Sequence, residues 1–182
     1  MVIKGAKPMR ITISGLPGSG TTTVAKLLSK ELSVELIFAG EMFRQIAKEK
    51  KLQLEHFNKL AENSAEFDRL IDEKQGEEAM KRENVIVEGR LSGFFVPAAD
   101  LKIWLKAPSE IRARRIAARE GITYEEALSA MKNRERSEDT RYKSYYGINL
   151  DDLSIYDLVI NSSRWSEKYI VEMIKMAVEG VK

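Results

Sequence analysis

The run Gly15-Leu16-Pro17-Gly18-Ser19-Gly20-Thr21-Thr22-Thr23 combines the residue types that chemistry on a polyphosphate demands. Glycines at 15, 18 and 20 let successive backbone N–H groups turn toward one point, and a helix starting directly after them aims its positive end at the same point. The spacing fits G-x-x-x-x-G-K-[ST], with Thr22 in place of the hydroxyl that helps to hold Mg²⁺. Thr21 stands where that pattern has lysine, so the usual cation for the β- and γ-phosphates must come from elsewhere. Arginines are the available source. Arg112, Arg115 and Arg119 fall at i, i+3 and i+7 of one helical stretch, and Arg134, Glu138 and Arg141 at i, i+4 and i+7 of the next. Each set shares one helix face. In isolation such faces are usually solvated ion-pair surfaces, but downstream of a phosphate loop they are candidate clamps for negative charge.

Strands and helices must hold these groups in place. Arg10 to Ser14 is short, β-branched and apolar and ends at the glycine turn, as a buried parallel strand feeding a phosphate loop would. Val24, Leu27, Leu28 and Leu32 recur at helical spacing beyond the glycines. Val34 to Phe38, Val85 to Glu88, Leu101 to Leu105 and Leu158 to Ile160 read as further strands, each followed by a turn signal. Glu41 to Arg82 is charged, free of proline and mostly helical. Glu110 to Glu120, Thr123 to Tyr146 and Trp165 to Val178 are helical too, the last with an apolar face of Tyr169, Ile170, Met173, Ile174, Ala177 and Val178. The alternation predicts an α/β fold, a five-stranded parallel sheet between helical layers, with ligands at the carboxyl ends of the strands.

Composition narrows the chemistry. Thirty Lys+Arg against 28 Asp+Glu give a net charge of only +2, so the overall balance points to neither a nucleic-acid nor a membrane surface. Without cysteine there is no disulfide, thiolate metal site or cysteine nucleophile, and a lone His56 excludes a two-histidine metal site; His56 is assigned no role. No apolar run is long enough to span a bilayer, and a cytoplasmic location is expected. Residues 1–8 precede the first strand as an extended start or a tail. Trp104 and Trp165 are expected in or against the core.

Together, the phosphate loop, Ala39-Gly40-Glu41-Met42-Phe43-Arg44, Glu88-Gly89-Arg90-Leu91-Ser92-Gly93, the stretch from Asn133 to Tyr142 and the segment Asp157 to Asn161 resemble nucleoside monophosphate kinases of the P-loop class. The likeness is strongest to the archaeal type of cytidylate kinase, and it runs from Met9 to Val178. It implies a single three-layer P-loop kinase domain, with an acceptor-nucleotide segment at about 40–84 and a lid at about 120–140. The implied reaction transfers the γ-phosphoryl of ATP to CMP or dCMP, with Mg²⁺ bridging the phosphates and small-molecule nucleotides as the partners of a monomer. Residue roles follow by position. Gly15 to Thr23 cradle ATP, Thr22 and Glu88 attend the metal, and Arg44 and Arg90 grip the acceptor as guanidinium forks. Arg115 and Arg119 stand at the base of the lid. Arg134 and Arg141 reach the transferring phosphate, with Glu138 orienting them beside the substrate.

The bacterial members of that family carry an aspartate after the arginine matching Arg90 to read the pyrimidine, and here that position is Leu91, so the base must be read elsewhere. Asp68, Arg69 and Asp72 are candidates, with a solvated helix surface the preferred reading of all three. Competing functions are an adenylate- or shikimate-type kinase of the same architecture, and a nucleotide-binding regulatory module that has lost catalysis along with the loop lysine.

Overall fold

The computed structural model describes residues 9–38, 42, 45, 46, 48–50 and 65–181. Five parallel strands, β1 (Arg10–Gly15), β2 (Glu35–Phe38), β3 (Val85–Glu88), β4 (Leu101–Lys106) and β5 (Leu158–Asn161), form one sheet in the order β2-β3-β1-β4-β5. β1 is central, and Ile11 to Gly15 are buried, which is why its sequence runs apolar instead of alternating. The register pairs Ile13 with Glu88 on one side and Ile103 on the other, and the carboxyl ends of β1, β3 and β4 therefore finish together.

Helices cover both faces. α1 (Thr21–Leu32) buries Val24, Ala25 and Leu28 with Ile11, Ile13, Ile86, Ile103 and Leu105. The C-terminal helix of the chain, Glu167–Gly180, adds Ile170, Val171 and Ile174 to that core. On the opposite face α2 (Ala65–Met80) packs Ile71 and Ala79 against Ile37, Val85 and Val87. α3 (Ser92–Phe95), a single turn after β3, lies outside the expectation from sequence, where Gly89-Arg90 read only as a turn. α4 (Ser109–Glu120) and α5 (Tyr124–Tyr146) form a hairpin with its own small core of Ala113, Ile116, Ala127 and Met131. Gly121 in the left-handed region closes α4, and Thr123 with Glu126 opens α5 in a reciprocal capping box.

Two expectations are corrected. Trp104 is buried, but Trp165 is 53% exposed and Tyr169 67% exposed, because α6 (Glu167–Gly180) starts at the Ser166 cap and turns Ile170, Val171 and Ile174 inward instead. Asp72, read as a solvated surface residue with Arg69, is only 8% exposed, whereas Arg69 does lie outside in an ion pair with Glu73. Residues 1–8, Arg44 and His56 lie outside the described residues, as does the Asp68 side chain.

Candidate active site

The phosphate loop runs from the end of β1 to the start of α1, and its carbonyls are the key to its shape. Each one from Gly15 to Gly20 accepts a hydrogen bond. Ser19 N–H donates to Leu16 O, and Val24 N–H to Gly20 O. The others are held by distant elements: Arg90 Nη1 donates to Gly15 O, Arg112 Nη1 to Pro17 O at 3.0 Å, Arg115 Nη1 to Gly18 O at 3.3 Å, and Ser162 Oγ to Ser19 O at 2.7 Å. With these oxygens bonded, the loop N–H groups that remain are available to an anion; Pro17 has none and Ser19 N–H is already bonded to Leu16 O. α1 begins at Gly20 with no side-chain cap and no acidic residue in its first turn, so its orphan amides are left for an anion.

Gly18 shows why glycine is required. Its φ is +79°, and a Cβ there would lie 2.7 Å from Arg112 O and 2.9 Å from Arg112 Cβ, so the loop presses directly on α4. Gly20, at φ +90°, is in the same region of backbone space and turns the chain into the helix.

Thr21, at the lysine position of the pattern, donates its hydroxyl to Glu88 Oε1 at 2.6 Å. The end of β3 is thereby tied to the first turn of α1. Thr22 and Thr23 are exposed at that turn. Thr22 and Glu88 are hard oxygen donors of the kind Mg²⁺ takes. Among the described residues no cluster of three His, Asp or Glu could cage a metal alone.

Glu138 is the electrostatic centre of the site. Its carboxylate, 5% exposed, accepts from Arg90 Nε at 2.9 Å and from Arg134 Nε at 2.7 Å. Burial works to raise its pKa, but the charges of Arg90 and Arg134 and their hydrogen bonds hold it below the ordinary value. The two partners differ: Arg90 is 11% exposed and Arg134 64% exposed. Nearby, burial pushes the Tyr156 phenol up to about 12, against the pull of Ser14 and Arg90, so it stays neutral.

The structure brings Arg90, Arg115, Arg134 and Glu138 around the loop or α5, with Arg90 committed to Gly15 and Glu138. Arg141 lies one turn beyond Glu138 and donates to Ser137 Oγ. Arg119 is on the exposed last turn of α4, paired with Glu120. Sequence reasoning missed Ser162, which links Arg115 to Ser19 O, and Gln75, whose Nε2 donates to Glu88 O at 2.9 Å from a buried place on α2. Arg112, expected with Arg115 and Arg119 as a clamp for negative charge, is instead 5% exposed and spent on Ala107 O, Pro17 O and Glu135, while Arg119 lies outside, so the three do not act as one face.

A phosphate loop after the central strand of a parallel sheet, with two helical layers around it, defines the P-loop kinase fold. Solved structures of that fold align closely. They include a shikimate kinase from Bacteroides thetaiotaomicron (TM-score 0.65, 17% identity, 94% of this chain and 98% of the other) and an uncharacterized protein from Eubacterium ventriosum (TM-score 0.71, 20% identity, 94% and 98%). The sequence model of the cytidylate kinase-like family matches residues 10–164, and the chain belongs to that family. It is 50% identical over 169 residues to a cytidylate kinase of Pyrococcus horikoshii, covering 93% of this chain and 88% of that one. The cytidylate kinase of Archaeoglobus fulgidus is likewise 50% identical, over 174 residues, with 96% and 97% covered.

Proposed function

We propose that this chain transfers the γ-phosphoryl group of ATP to CMP or dCMP, giving ADP and CDP or dCDP. The observation that carries the reading is a phosphate loop whose carbonyls from Gly15 to Gly20 all accept hydrogen bonds from the protein, in a chain half identical to relatives named cytidylate kinase. Likeness to shikimate kinases speaks for the fold alone, so the shikimate-type alternative has no support of its own.

The loop from Gly15 to Thr23 and the positive end of α1 bind the ATP phosphates, through the backbone N–H groups that remain once Pro17, which has none, and Ser19, whose N–H is bonded to Leu16 O, are set aside. The Thr22 hydroxyl and the Glu88 carboxylate would hold Mg²⁺, which would supply positive charge against the ATP phosphates. Arg134 and Arg141 approach the transferring group from α5, with Arg115 and Arg119 at the lid base. Arg44 and Arg90 serve the acceptor monophosphate, and Glu138 fixes Arg90 and Arg134 relative to each other. Phosphoryl transfer leaves little covalent work for a protein, so position, charge and exclusion of water carry the rate. The lid at about 120–140 closes over the nucleotides, and the acceptor segment at about 40–84 belongs to the same domain, in a monomeric enzyme of the cytoplasm.

The test is turnover of ATP and Mg²⁺ with CMP, dCMP, UMP, AMP and shikimate, followed by ADP release and product chromatography. CDP or dCDP as the fastest product supports the proposal. Rapid turnover of AMP or shikimate without CDP refutes it, and ATP binding without transfer to any acceptor returns the regulatory-module reading.

A further inference from the structure

Two arginines join the phosphate loop to α5, and only one belongs to the site as proposed above. Arg90, at the end of β3, bonds Gly15 O and Glu138. Arg112, in the first turn of α4, repeats the arrangement from the other direction: its Nη1 donates to Pro17 O at 3.0 Å and also to the Glu135 carboxylate, while its Nε donates to Ala107 O at 3.0 Å. The Arg112 side chain is 6% exposed and that of Glu135 22% exposed, so the pair is largely withdrawn from water. Glu135 and Glu138 are three residues apart on α5, next to one another on its surface. The phosphate loop is thus linked to one helix at two carbonyls by two arginine–glutamate pairs. Arg134, which is assigned to the transferring phosphate, sits beside Glu135 in sequence and bonds Glu138.

We propose that Arg112 and Glu135 are a positioning pair for phosphoryl transfer, fixing the register of α5 against the phosphate loop so that Arg134 and Arg141 meet the γ-phosphoryl group. Neither touches substrate. Arg112 acts on the loop through Pro17 O and Glu135 acts on α5 through Arg112. A planar fork is needed because one guanidinium serves Ala107, Pro17 and Glu135 together, which an ammonium on a flexible stem does not reproduce. Together with the apolar α4–α5 core, the two pairs resist rotation of α5 about its own axis relative to the loop. The proposal rests on the kinase reading of this site.

Three variants test it: Glu135→Ala, Glu135→Gln and Arg112→Lys. Each is measured for kcat and KM with ATP and CMP, for melting temperature, and for binding of a non-hydrolysable ATP analogue by calorimetry. Displacing a catalytic group by about an ångström costs on the order of 100-fold in rate. Glu135→Ala is therefore expected to lower kcat roughly 10- to 100-fold with the KM for CMP nearly unchanged. Glu135→Gln, which keeps an oxygen for Arg112 Nη1, recovers most of that loss. Arg112→Lys lowers kcat and also weakens analogue binding by about fivefold or more, because Pro17 O loses its planar donor. If kcat and both KM values of all three variants stay within about twofold of the parent, whatever the melting temperature does, the pair is merely structural and the inference is wrong. A parent chain inactive toward CMP would refute the acceptor assignment instead, and analogue binding by Arg112→Lys would then still decide whether the loop depends on Arg112.

Discussion

Glu138 and Arg134 share one ion pair, yet replacing each will separate stability from catalysis. The Arg90–Glu138 pair is nearly enclosed, with 11% and 5% exposure, whereas Arg134 is 64% exposed. Removing one partner of a buried pair costs about 3–5 kcal/mol, since the other charge is left without compensation. Glu138→Gln keeps the size and one accepting oxygen, so its cost falls at the lower end, about 3 kcal/mol. At about 2–4 °C per kcal/mol for a chain of this size, melting falls by about 6–12 °C. Arg134→Ala removes the exposed partner of a buried carboxylate that keeps its bond to Arg90, so its cost is smaller, about 1 kcal/mol, which shifts melting by about 2–4 °C. Its effect lies in kcat, expected to fall by about 10²–10³ as a charged donor to the transition state is lost. Thermal melting by circular dichroism and steady-state kinetics on the same preparations check both. If Arg134→Ala melts as low as Glu138→Gln, or if Glu138→Gln melts like the parent, the division between buried brace and exposed catalytic arm is refuted.

The same carboxylate has a pH signature. In the unfolded chain it takes up a proton near its usual value of 4.5, and in the folded chain only at lower pH, so the stability it lends is complete above that value and drains as pH falls through the folded pKa. Glu138→Gln will flatten the acid limb of a melting-temperature profile and leave its shape between about pH 6 and 8 unchanged; an equally steep acid limb would count against the assignment. Thr21→Lys will not raise kcat by more than about threefold, because Glu88 Oε1, now bonded to the Thr21 hydroxyl at 2.6 Å, would draw the new ammonium into an ion pair. A gain of tenfold or more would mean that the arginines do not compensate for the missing lysine. Gly18→Ala will abolish ATP binding measured by calorimetry, since its Cβ would lie 2.7 Å from Arg112 O at a φ of +79°; near-normal affinity would contradict the contact between loop and α4. Thr123→Ala removes one half of the capping box at the start of α5 and will lower melting by about 2–4 °C, corresponding to about 1 kcal/mol, with no change expected if the box is broken in solution.

Much of the fold was legible because local rules decide it. Val85–Glu88 runs as its β-branched pattern requires, and the helix read from Thr123 to Tyr146 is α5, with Thr123 as its cap instead of its first residue. The phosphate loop was recognisable from glycine spacing and from the strand before it. Periodicity identified the arginine faces of α4 and α5 but not what those faces meet. Arg112 finds Pro17 across 95 positions and Ser162 finds Ser19 across 143, distances over which no spacing rule operates. Asp72 was misread for the same reason, since the charge of a residue does not reveal that its helix face is turned inward. Trp165 failed in the opposite sense: aromatic character suggested the core, but the Ser166 cap sets the phase of α6 and leaves Trp165 outside it.

The bracing of the loop carbonyls also bears on heat and mutation. Its donors come from the turn after β3, from α4 and from Ser162 beyond β5, so the loop has little shape of its own to lose and little ordering to undergo when a nucleotide arrives. Nucleotide affinity is therefore a gauge of tertiary order: a change that loosens any of those elements, even far from the phosphates, will weaken binding at temperatures where the sheet is still intact.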